Sequence, residues 1–499
     1  MNISKRNENF EKFRYISLVA PKWKSYIKLK ELQRAKRLRT FLPSSSSQID
    51  SVVVKSLHEL QFLRVLRLSG PGITQVPQSI GSLKHLRYLN FSFTDIRCLP
   101  EQVSDLYNLQ SLLVRGCHEL SDLPKSFAKL INLRHLDIDD TPSLNKMPLG
   151  IGGLTNLQTL SKVIIEEANG FKITDLKGLS DLQGELSIIG LDKLIDPIQA
   201  KNANLDQKKG LEVLEMRWSN VFDDSRNEMI EYEVLKELIP HPKLKVLKIS
   251  NNKGTQFPSW VGDPTFDQLT ELMLRGCKST HLPTLGNLRS LKKLVISSCH
   301  LITSFSLSEK IVGDSDCGNL QPKLIPANDF GFLPMPRLIS LQISYCKNLK
   351  SFPFQSLTSL EKLLILECPS MDYSFPCGMW PPNLRSLTIG GLNKPMSEWG
   401  PQNFPTSLVE LHLYGKNSGV TSFAVAADTT TPSSSSSSFL LPPSLVSLRL
   451  DYFMDVESFS EVLRHLPCLN KLDIHSCPKI SDLKTTSSRS KLMISVSHW

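Results

Sequence analysis

The sequence predicts an α/β solenoid, and two regularities of its apolar residues support that class. Between residues 63 and 117 the pattern L-x-x-L-x-L-x-x-(C/N/T) recurs every 23 residues. A proline-containing apolar phrase, such as Val76-Pro77 or Leu99-Pro100, separates one copy from the next. A fixed period of roughly 20 to 30 residues with this pattern is typical of a leucine-rich repeat. We therefore expect a horseshoe with a parallel β-sheet on its concave face and an irregular or helical convex face.

Each copy of the pattern predicts one short strand and one return segment. Successive side chains of a strand point to opposite faces of the sheet. The leucines of L-x-L therefore face the core, and the residue between them faces outward. The return segment contains proline, which lacks the backbone N–H that strand pairing needs, so the chain turns back along the outer side.

Repeat frames can be followed along most of the chain. They begin at Leu63, Leu86, Leu109, Leu133, Leu157, Leu211, Leu244, Leu269, Leu291, Leu338, Leu360, Leu384, Leu408, Leu445 and Leu469. The register is loose between the fifth and seventh frames, where we expect helical insertions at 198–211 and 228–239. The 47-residue interval before Leu338 contains a turn-rich stretch and indicates a loop or a degenerate repeat.

These frames predict a chain that grows by stacking repeats, so that its length does not require several globular domains. The predicted regions are a basic N-terminal segment and cap at 1–50, regular repeats at 51–162, repeats with helical insertions at 163–300, a loop or degenerate repeat at 301–337, C-terminal repeats at 338–483 with a Ser/Thr-rich insertion at 424–442, and a tail at 484–499.

The net charge of +10 is concentrated at the N-terminus, where residues 1–40 hold 12 Lys and Arg but three acidic residues. This basic cap includes Lys22, Lys24, Lys28, Arg34, Arg37 and Arg39. Because the segment has no motif that reads RNA or DNA, we interpret it as a solvated or protein-facing surface. Nucleic-acid binding by the cap stays as an alternative.

The cysteines follow the repeat frame, which favours a structural role for most of them. Six occupy the ninth position of the pattern: Cys117, Cys277, Cys299, Cys346, Cys368 and Cys477. Cysteine can fill that buried position as a small residue with a weak donor. Four others are off-frame: Cys98, Cys317, Cys377 and Cys468. We expect reduced thiols.

The sequence indicates neither an enzyme nor a cofactor site. It lacks the phosphate-binding loops, the H-E-x-x-H motif and the G-x-S-x-G motif. The spacing Cys277-x-x-x-His281, followed by Cys299-His300, is explained by the repeat frame better than by a metal that needs four convergent ligands. No apolar run approaches the roughly 18 residues of a membrane span, and no signal-peptide core is found. We therefore expect a cytoplasmic protein.

The outward positions of the strands are chemically mixed, in contrast to the uniform leucine frame. Such variety is typical of a surface that recognises another protein, where a few Tyr, Trp or Arg residues supply most of the binding energy. The predicted protein-binding residues on the concave face are Arg67, Tyr88, Asn90, Phe93, His135, Asp137, Asp139, Trp218, Lys248, Tyr345, Tyr414, Arg449 and Tyr452.

Several stretches resemble the leucine-rich-repeat region of plant coiled-coil nucleotide-binding disease-resistance proteins. The most specific succession is Leu182-Gln-Gly-Glu-Leu, Lys209-Gly-Leu-Glu-Val-Leu-Glu-Met-Arg-Trp218, Phe257-Pro-Ser-Trp260 and Leu282-Pro-Thr-Leu-Gly. The resemblance implies the recognition region of an intracellular immune receptor that senses a pathogen effector or a guarded host protein. It also implies an acidic nucleotide-binding module, in cis or in trans, as a partner of the basic cap. This sequence has no nucleotide-binding motif, so we expect no nucleotide switch of its own.

Other functions stay open at this point. The alternatives are a cell-surface receptor ectodomain, with a glycosylation sequon at Asn90, and a generic protein-interaction scaffold. Extracellular plant repeats typically carry G-x-I-P after the strand, whereas this chain has Gln75-Val-Pro and Cys98-Leu-Pro. The ectodomain interpretation is therefore the weaker one.

Overall fold

The computed structural model describes residues 10–18, 34–43, 57–166, 170–221, 226–303, 335–350, 352, 354, 357–374, 380–399, 404–425, 438–480 and 492–497. The chain divides into two compact units. Unit 1 contains Met1–Val221 and Glu233–Leu244, and unit 2 contains Phe222–Tyr232 and Lys245–Trp499. Both units consist of parallel strands joined by return segments, which confirms the predicted leucine-rich-repeat class.

The strands of unit 1 pair in the order in which they occur in the chain. One seven-stranded parallel sheet contains β1 (Tyr15–Leu18), β2 (Thr40–Pro43), β3 (Val65–Arg67), β4 (Tyr88–Asn90), β5 (Ser111–Leu113), β6 (His135–Asp137) and β7 (Thr159–Leu160). Three more parallel strands follow: the short β8 (Lys162–Ile164) and the longer β9 (Gln183–Ile189) and β10 (Gly210–Arg217). Because β1 and β2 pair in parallel, the N-terminal segment already belongs to the sheet.

Unit 2 repeats the same construction with sheet strands of five residues. Its parallel strands, in pairing order, are β11 (Val246–Ser250), β12 (Glu271–Arg275), β13 (Lys293–Ser297), β14 (Ser340–Ser344), β15 (Lys362–Leu366), β16 (Ser386–Gly390), β17 (Glu410–Tyr414), β20 (Ser447–Asp451), β21 (Lys471–His475) and β22 (Met493–Ser497). The remaining strands, β18 (Ser422–Val425) and β19 (Ser438–Leu441), form a separate parallel pair.

The core lies between the sheet and the return segments. Leu89 is registered opposite Leu66 and Leu112, and all three side chains are fully buried. On the other side, 3₁₀ helices start directly after Pro77 and Pro100 and bury apolar residues against the leucines. Proline suits these positions because its fixed φ continues an extended entry and the first turn does not need its missing N–H.

Most of the return segments are 3₁₀ helices. These are Phe10–Lys12, Leu57–Glu59, Gln78–Ser82, Glu101–Asp105, Phe127–Lys129, Ile151–Gly153, Ile173–Gly178, Leu191–Lys193, Leu205–Gln207, Ser259–Gly262, Leu285–Asn287, Pro369–Ser374 and Met396–Glu398. The α-helices within the described residues are α1 (Pro197–Lys201), α2 (Glu228–Glu237) and α3 (Ser460–Arg464).

The two predicted helical insertions have different outcomes. The insertion at 228–239 is confirmed by α2. The insertion predicted at 198–211 is wrong over its second half, because α1 ends at Lys201, a 3₁₀ turn follows, and β10 begins at Gly210. The buried residues Leu211, Leu214 and Met216 place the strand against the core, and this tertiary burial decides the local structure there.

The two long intervals between repeat frames leave the sheet uninterrupted. Strand β13 pairs directly with β14, with Leu294 opposite Leu341, so the 47-residue interval adds no strand between them. Most of that interval, residues 304–334, lies outside the described residues. Likewise β17 pairs directly with β20. The segment between them contributes Phe423 and Phe439, whose buried rings contact each other. The Phe423 ring also packs beside Phe453 and Phe459.

The ninth-position cysteines are buried and free. The thiol of Cys117 donates to the carbonyl oxygen of Phe91 at 3.1 Å, and Cys477 does the same to Leu450 at 3.7 Å. Burial raises the pKa of the Cys117 thiol. By contrast, Cys98 and Cys468 are exposed, and Cys317 and Cys377 lie outside the described residues. The frame therefore predicted which of the described thiols are buried.

A matched pair of leucines tests the inward–outward alternation. Leu112 is fully buried, whereas its neighbour Leu113 on the same strand faces outward. We expect Leu112→Ala to lower the free energy of unfolding by about 2–5 kcal/mol, through lost apolar contact and a residual cavity. We expect Leu113→Ala to change it by less than about 1 kcal/mol. Urea denaturation followed by circular dichroism measures both, and equal losses would contradict the alternation.

Thiol labelling tests the assignment of the cysteines. In the native protein we expect iodoacetamide to modify Cys98 and Cys468 well before the six ninth-position cysteines, because access and thiolate formation both require solvent. Peptide mapping by mass spectrometry at successive times gives the order. The same mapping in concentrated guanidinium is the control, in which the difference should vanish. Early labelling of Cys117 in native protein would show that the ninth position is open.

Candidate protein-binding surface

The outward positions of the strands form an exposed face in each unit. In unit 1 this face carries Arg67, Tyr88, His135, Asp137 and Asp139, each partly exposed, and Phe93, which is exposed. In unit 2 it carries Lys248, Tyr345, Tyr414, Arg449 and Tyr452, each at least partly exposed. Eleven of the thirteen predicted residues, on the strands or just after them, are therefore at least partly exposed.

Trp218 is a correction to the predicted surface. Its side chain is 1% exposed and therefore cannot contact a partner. It lies just after β10, on the same side as the buried Leu214 and Met216, while Arg217 between them is exposed. Counting in steps of two from Met216 would have placed Trp218 in the core, so the prediction failed by one position.

Asn90 is the second correction, since it is only 8% exposed. Its Nδ2 donates to the hydroxyl of Tyr88 at 3.1 Å, and its Oδ1 accepts from the backbone N–H of Ser92 at 2.8 Å. A buried amide must satisfy such bonds internally. Asn90 thus fixes the orientation of Tyr88 and the end of the strand.

Polar contacts hold the unit 1 face in place. The guanidinium of Arg115 lies 3.0 Å from the carboxylate of Asp139, and Asp137 accepts from the backbone N–H of Asp139 at 3.1 Å. His135 shares a hydrogen bond with Thr159 on the next strand. Arg115 was not among the predicted residues. It belongs to the face because the residues after β5 and β6 lie side by side, with the N–H of Gly116 donating to the carbonyl of Asp139.

The unit 2 face is organised around a buried carboxylate. Asp451 lies 2.7 Å from His412 Nε2 and accepts from Arg449 Nε at 3.1 Å. Burial lowers the pKa of His412, although the neighbouring carboxylate opposes this shift. Asp451 was not among the predicted residues. Its position two residues after Arg449, on the same face of the strand, could have identified it.

Aromatic residues occupy the strand ends next to this group. The rings of Tyr414 and Tyr452 are 4.9 Å apart. Tyr452, Tyr345 and Phe93 each follow a strand with a positive φ, between 56° and 62°. Glycine holds the same place in other repeats, at Gly116 and Gly391 for example. A left-handed backbone is unfavourable for a bulky side chain. Glycine would adopt the backbone conformation of these positions at a lower energy than the aromatic residues do.

The basic cap is only partly described. Arg34 and Arg37 are exposed and Arg39 is partly exposed. Lys22, Lys24 and Lys28 lie outside the described residues. A binding role for the cap therefore stays a prediction.

Unit 2 also contains a groove of about 580 Å³ near the starts of its strands. Its lining includes the exposed cations Lys292, Arg337 and Arg385 beside one carboxylate, Glu361. Across the described residues there is no group of three or more His, Cys, Asp or Glu placed to hold a metal ion. Among the same residues, no helix is both long and apolar enough to span a membrane.

A buried ion pair secures the start of α2 in unit 2. The guanidinium of Arg226 forms two 2.8 Å contacts with the Glu231 carboxylate and donates to the backbone carbonyl of Asn251 at 2.7 Å. Glu231 also accepts from the backbone N–H of Lys253 at 2.7 Å. Both charged side chains are buried. The pair therefore joins the helix to the segment that follows β11.

Removing one partner of this pair should be costly, because the other charge would stay buried. We expect Glu231→Gln to lower the local free energy of opening by about 3–5 kcal/mol. The control on the same helix is Glu233→Gln, which breaks an exposed contact with Lys236 and should cost less than about 1 kcal/mol. Native-state hydrogen exchange of the α2 and β11 amides measures both, and similar effects for the two variants would contradict the assignment.

Comparison with known proteins identifies the region that surrounds this ion pair. Residues 173–299 match the family described as R13L1/DRL21 LRRs. Disease resistance protein At3g14460 of Arabidopsis thaliana is 35% identical over 391 residues, which are 76% of this chain and 27% of that protein. Disease resistance RPP13-like protein 1 of the same plant is 36% identical over 400 residues, 76% of this chain and 37% of that protein.

A third relative, disease resistance protein RGA2 of Solanum bulbocastanum, is 39% identical over 336 residues, which are 65% of this chain and 32% of that protein. The chain thus spans about a third of the length of these relatives. The repeat architecture, the matched segment and the resemblance quoted above agree with one another. Residues 173–299 belong to the R13L1/DRL21 leucine-rich-repeat family, and over about three quarters of its length the chain is similar to plant disease resistance proteins.

Proposed function

We propose that the exposed strand faces recognise a protein, namely a pathogen effector or a guarded host protein, on behalf of a plant immune receptor. The observation that carries this proposal is the contrast between a uniform buried frame and exposed positions that mix aromatic, acidic and basic side chains. The relationship to disease-resistance proteins supplies the biological setting. We assign recognition, and neither catalysis nor nucleotide switching, to this sequence.

The proposed site of action is the cytoplasm, with an acidic nucleotide-binding module as the partner of the basic cap. A glycan on the Asn90 sequon would support the alternative of a cell-surface ectodomain. The Asn90 side chain is buried and its Nδ2 already donates to Tyr88, so glycosylation there would break the end of β4. This contact disfavours a glycan at Asn90. A generic protein-interaction scaffold stays as the second candidate.

Partner capture with matched variants tests the proposal. The full chain is immobilised and exposed to extracts of infected and uninfected plant tissue, and retained proteins are quantified by mass spectrometry. We expect Tyr345→Ala and Tyr452→Ala to weaken retention of a specific partner about tenfold or more, as expected for interfacial aromatic anchors. Tyr107→Ala is the control, because Tyr107 is equally exposed but lies in a return segment.

Two outcomes would count against recognition by this face. One is the absence of any retained protein that is sensitive to the strand-face variants. The other is an equal loss of retention with Tyr107→Ala, which would assign binding to the opposite side of the repeats. Retention that is sensitive to the face but identical from unrelated tissues would favour the scaffold.

A further inference from the structure

We propose that Tyr345, Glu367, Tyr414 and Tyr452 form a site for a cationic side chain, arginine or lysine, of the partner protein. We call these four residues the tyrosine–glutamate site. All of them belong to unit 2. The proposal rests on the recognition function above and adds the chemistry of the group that is recognised.

The site is assembled at the ends of neighbouring strands. Tyr345 follows β14, and Glu367 follows β15 at the equivalent position of the next repeat. Their backbones are linked to the following strands: the N–H of Tyr345 donates to Leu366 at 2.9 Å, and the N–H of Glu367 donates to Gly390 at 3.0 Å. The same ladder that builds the sheet therefore fixes the direction of both side chains.

Two tyrosines of the site are well exposed. Tyr345, Glu367 and Tyr452 have φ values of 56°, 52° and 62°, in the left-handed region. The equivalent position of other repeats is left-handed too, at Asp140 and Ser298 for example, so the repeat imposes this conformation. Tyr345 is 53% and Tyr452 is 38% exposed, so packing in the core accounts for neither ring, and both can contact a partner.

Gly390 and Gly391, which lack side chains, leave room for Glu367 and Tyr414 between β15 and β17. A Cβ atom at Gly391 would lie 2.7 Å from the carboxyl carbon of Glu367, and one at Gly390 would overlap Tyr414. Glu367 thus leans over β16 from one side while Tyr414 adjoins it from the other. The proximity is consistent with the pKa of the Tyr414 hydroxyl, which is raised by burial and then by the Glu367 carboxylate.

Charge selects the occupant. The carboxylate of Asp451, beside the site, is already paired with the Arg449 guanidinium and shares a hydrogen bond with His412. Within the described part of the chain, Glu367 forms no ion pair. A cation placed against the faces of tyrosine rings is attracted by their quadrupoles, and a nearby carboxylate adds to this attraction. A neutral or acidic group would instead bury Glu367 without a partner, which is unfavourable.

Fluorine NMR of the full chain tests the proposal directly. The nine tyrosines are replaced by 3-fluorotyrosine, and the signals of Tyr345, Tyr414 and Tyr452 are assigned by single Tyr→Phe substitutions. The probes are the N-acetyl methylamides of arginine, lysine, norleucine and glutamate. We expect saturable shifts of the Tyr414 and Tyr452 signals with arginine or lysine, and none with norleucine or glutamate at equal concentration.

Two glutamate variants provide matched controls. Glu367→Gln should weaken binding of the arginine probe about two- to fivefold, the loss expected when an exposed ion pair loses its carboxylate charge. Glu398→Gln removes an exposed carboxylate from the return segment between β16 and β17 and should leave the binding constant unchanged. Fluorine spectra of both variants without probe show whether the tyrosine environment is preserved.

Three results would overturn the proposal: no saturable shift with either cationic probe, equal shifts with norleucine, or unchanged binding in Glu367→Gln. These results are separable from failure of the recognition function. If partner capture depends on Tyr345 and Tyr452 but the cationic probes do not bind, recognition stands and the cation site is rejected. If the probes bind but no partner is captured, the site stands and the proposed receptor role is rejected.

Discussion

The structure depends on the burial of one leucine row against the next in parallel register. No single repeat can enclose its own apolar side chains, so each coil is stable only with neighbours on both sides. The register that sets Leu66, Leu89 and Leu112 opposite one another also fixes which residues face outward. The alternation separates a buried face, whose side chains are constrained by packing, from an outward face, whose side chains are not. The proposed recognition function rests on this separation.

Much of this could be predicted from the sequence, for a physical reason. Alternation along a strand and the spacing of leucines between strands are local patterns, so Leu112 and the ninth-position cysteines could be assigned by counting. Trp218 was assigned to the surface by its residue type, although counting from Met216 places it in the core, where it is buried.

The rest of the candidate site is beyond pattern counting because it depends on side-chain contacts within and between repeats. Asn90 looks like an outward residue, yet its amide bonds to Tyr88 and Ser92 of its own repeat and is buried. Asp451 joins the site through two partners, one of them on another strand. Lys208 illustrates the same difficulty in unit 1: its ammonium donates to the carbonyls of Leu176 and Leu179, and burial lowers its pKa to about 8. Nothing in the local sequence distinguishes it from a solvated lysine.

The direct pairing of β13 with β14 has an evolutionary consequence. The two strands are adjacent in space although 42 residues separate Ser297 from Ser340 in the chain. The register across this junction is set by the strands and by the leucines beneath them, so residues can be gained or lost in the interval without shifting the side chains on either side. Related chains can thus differ in the length and composition of such an interval while the neighbouring strand face keeps its geometry.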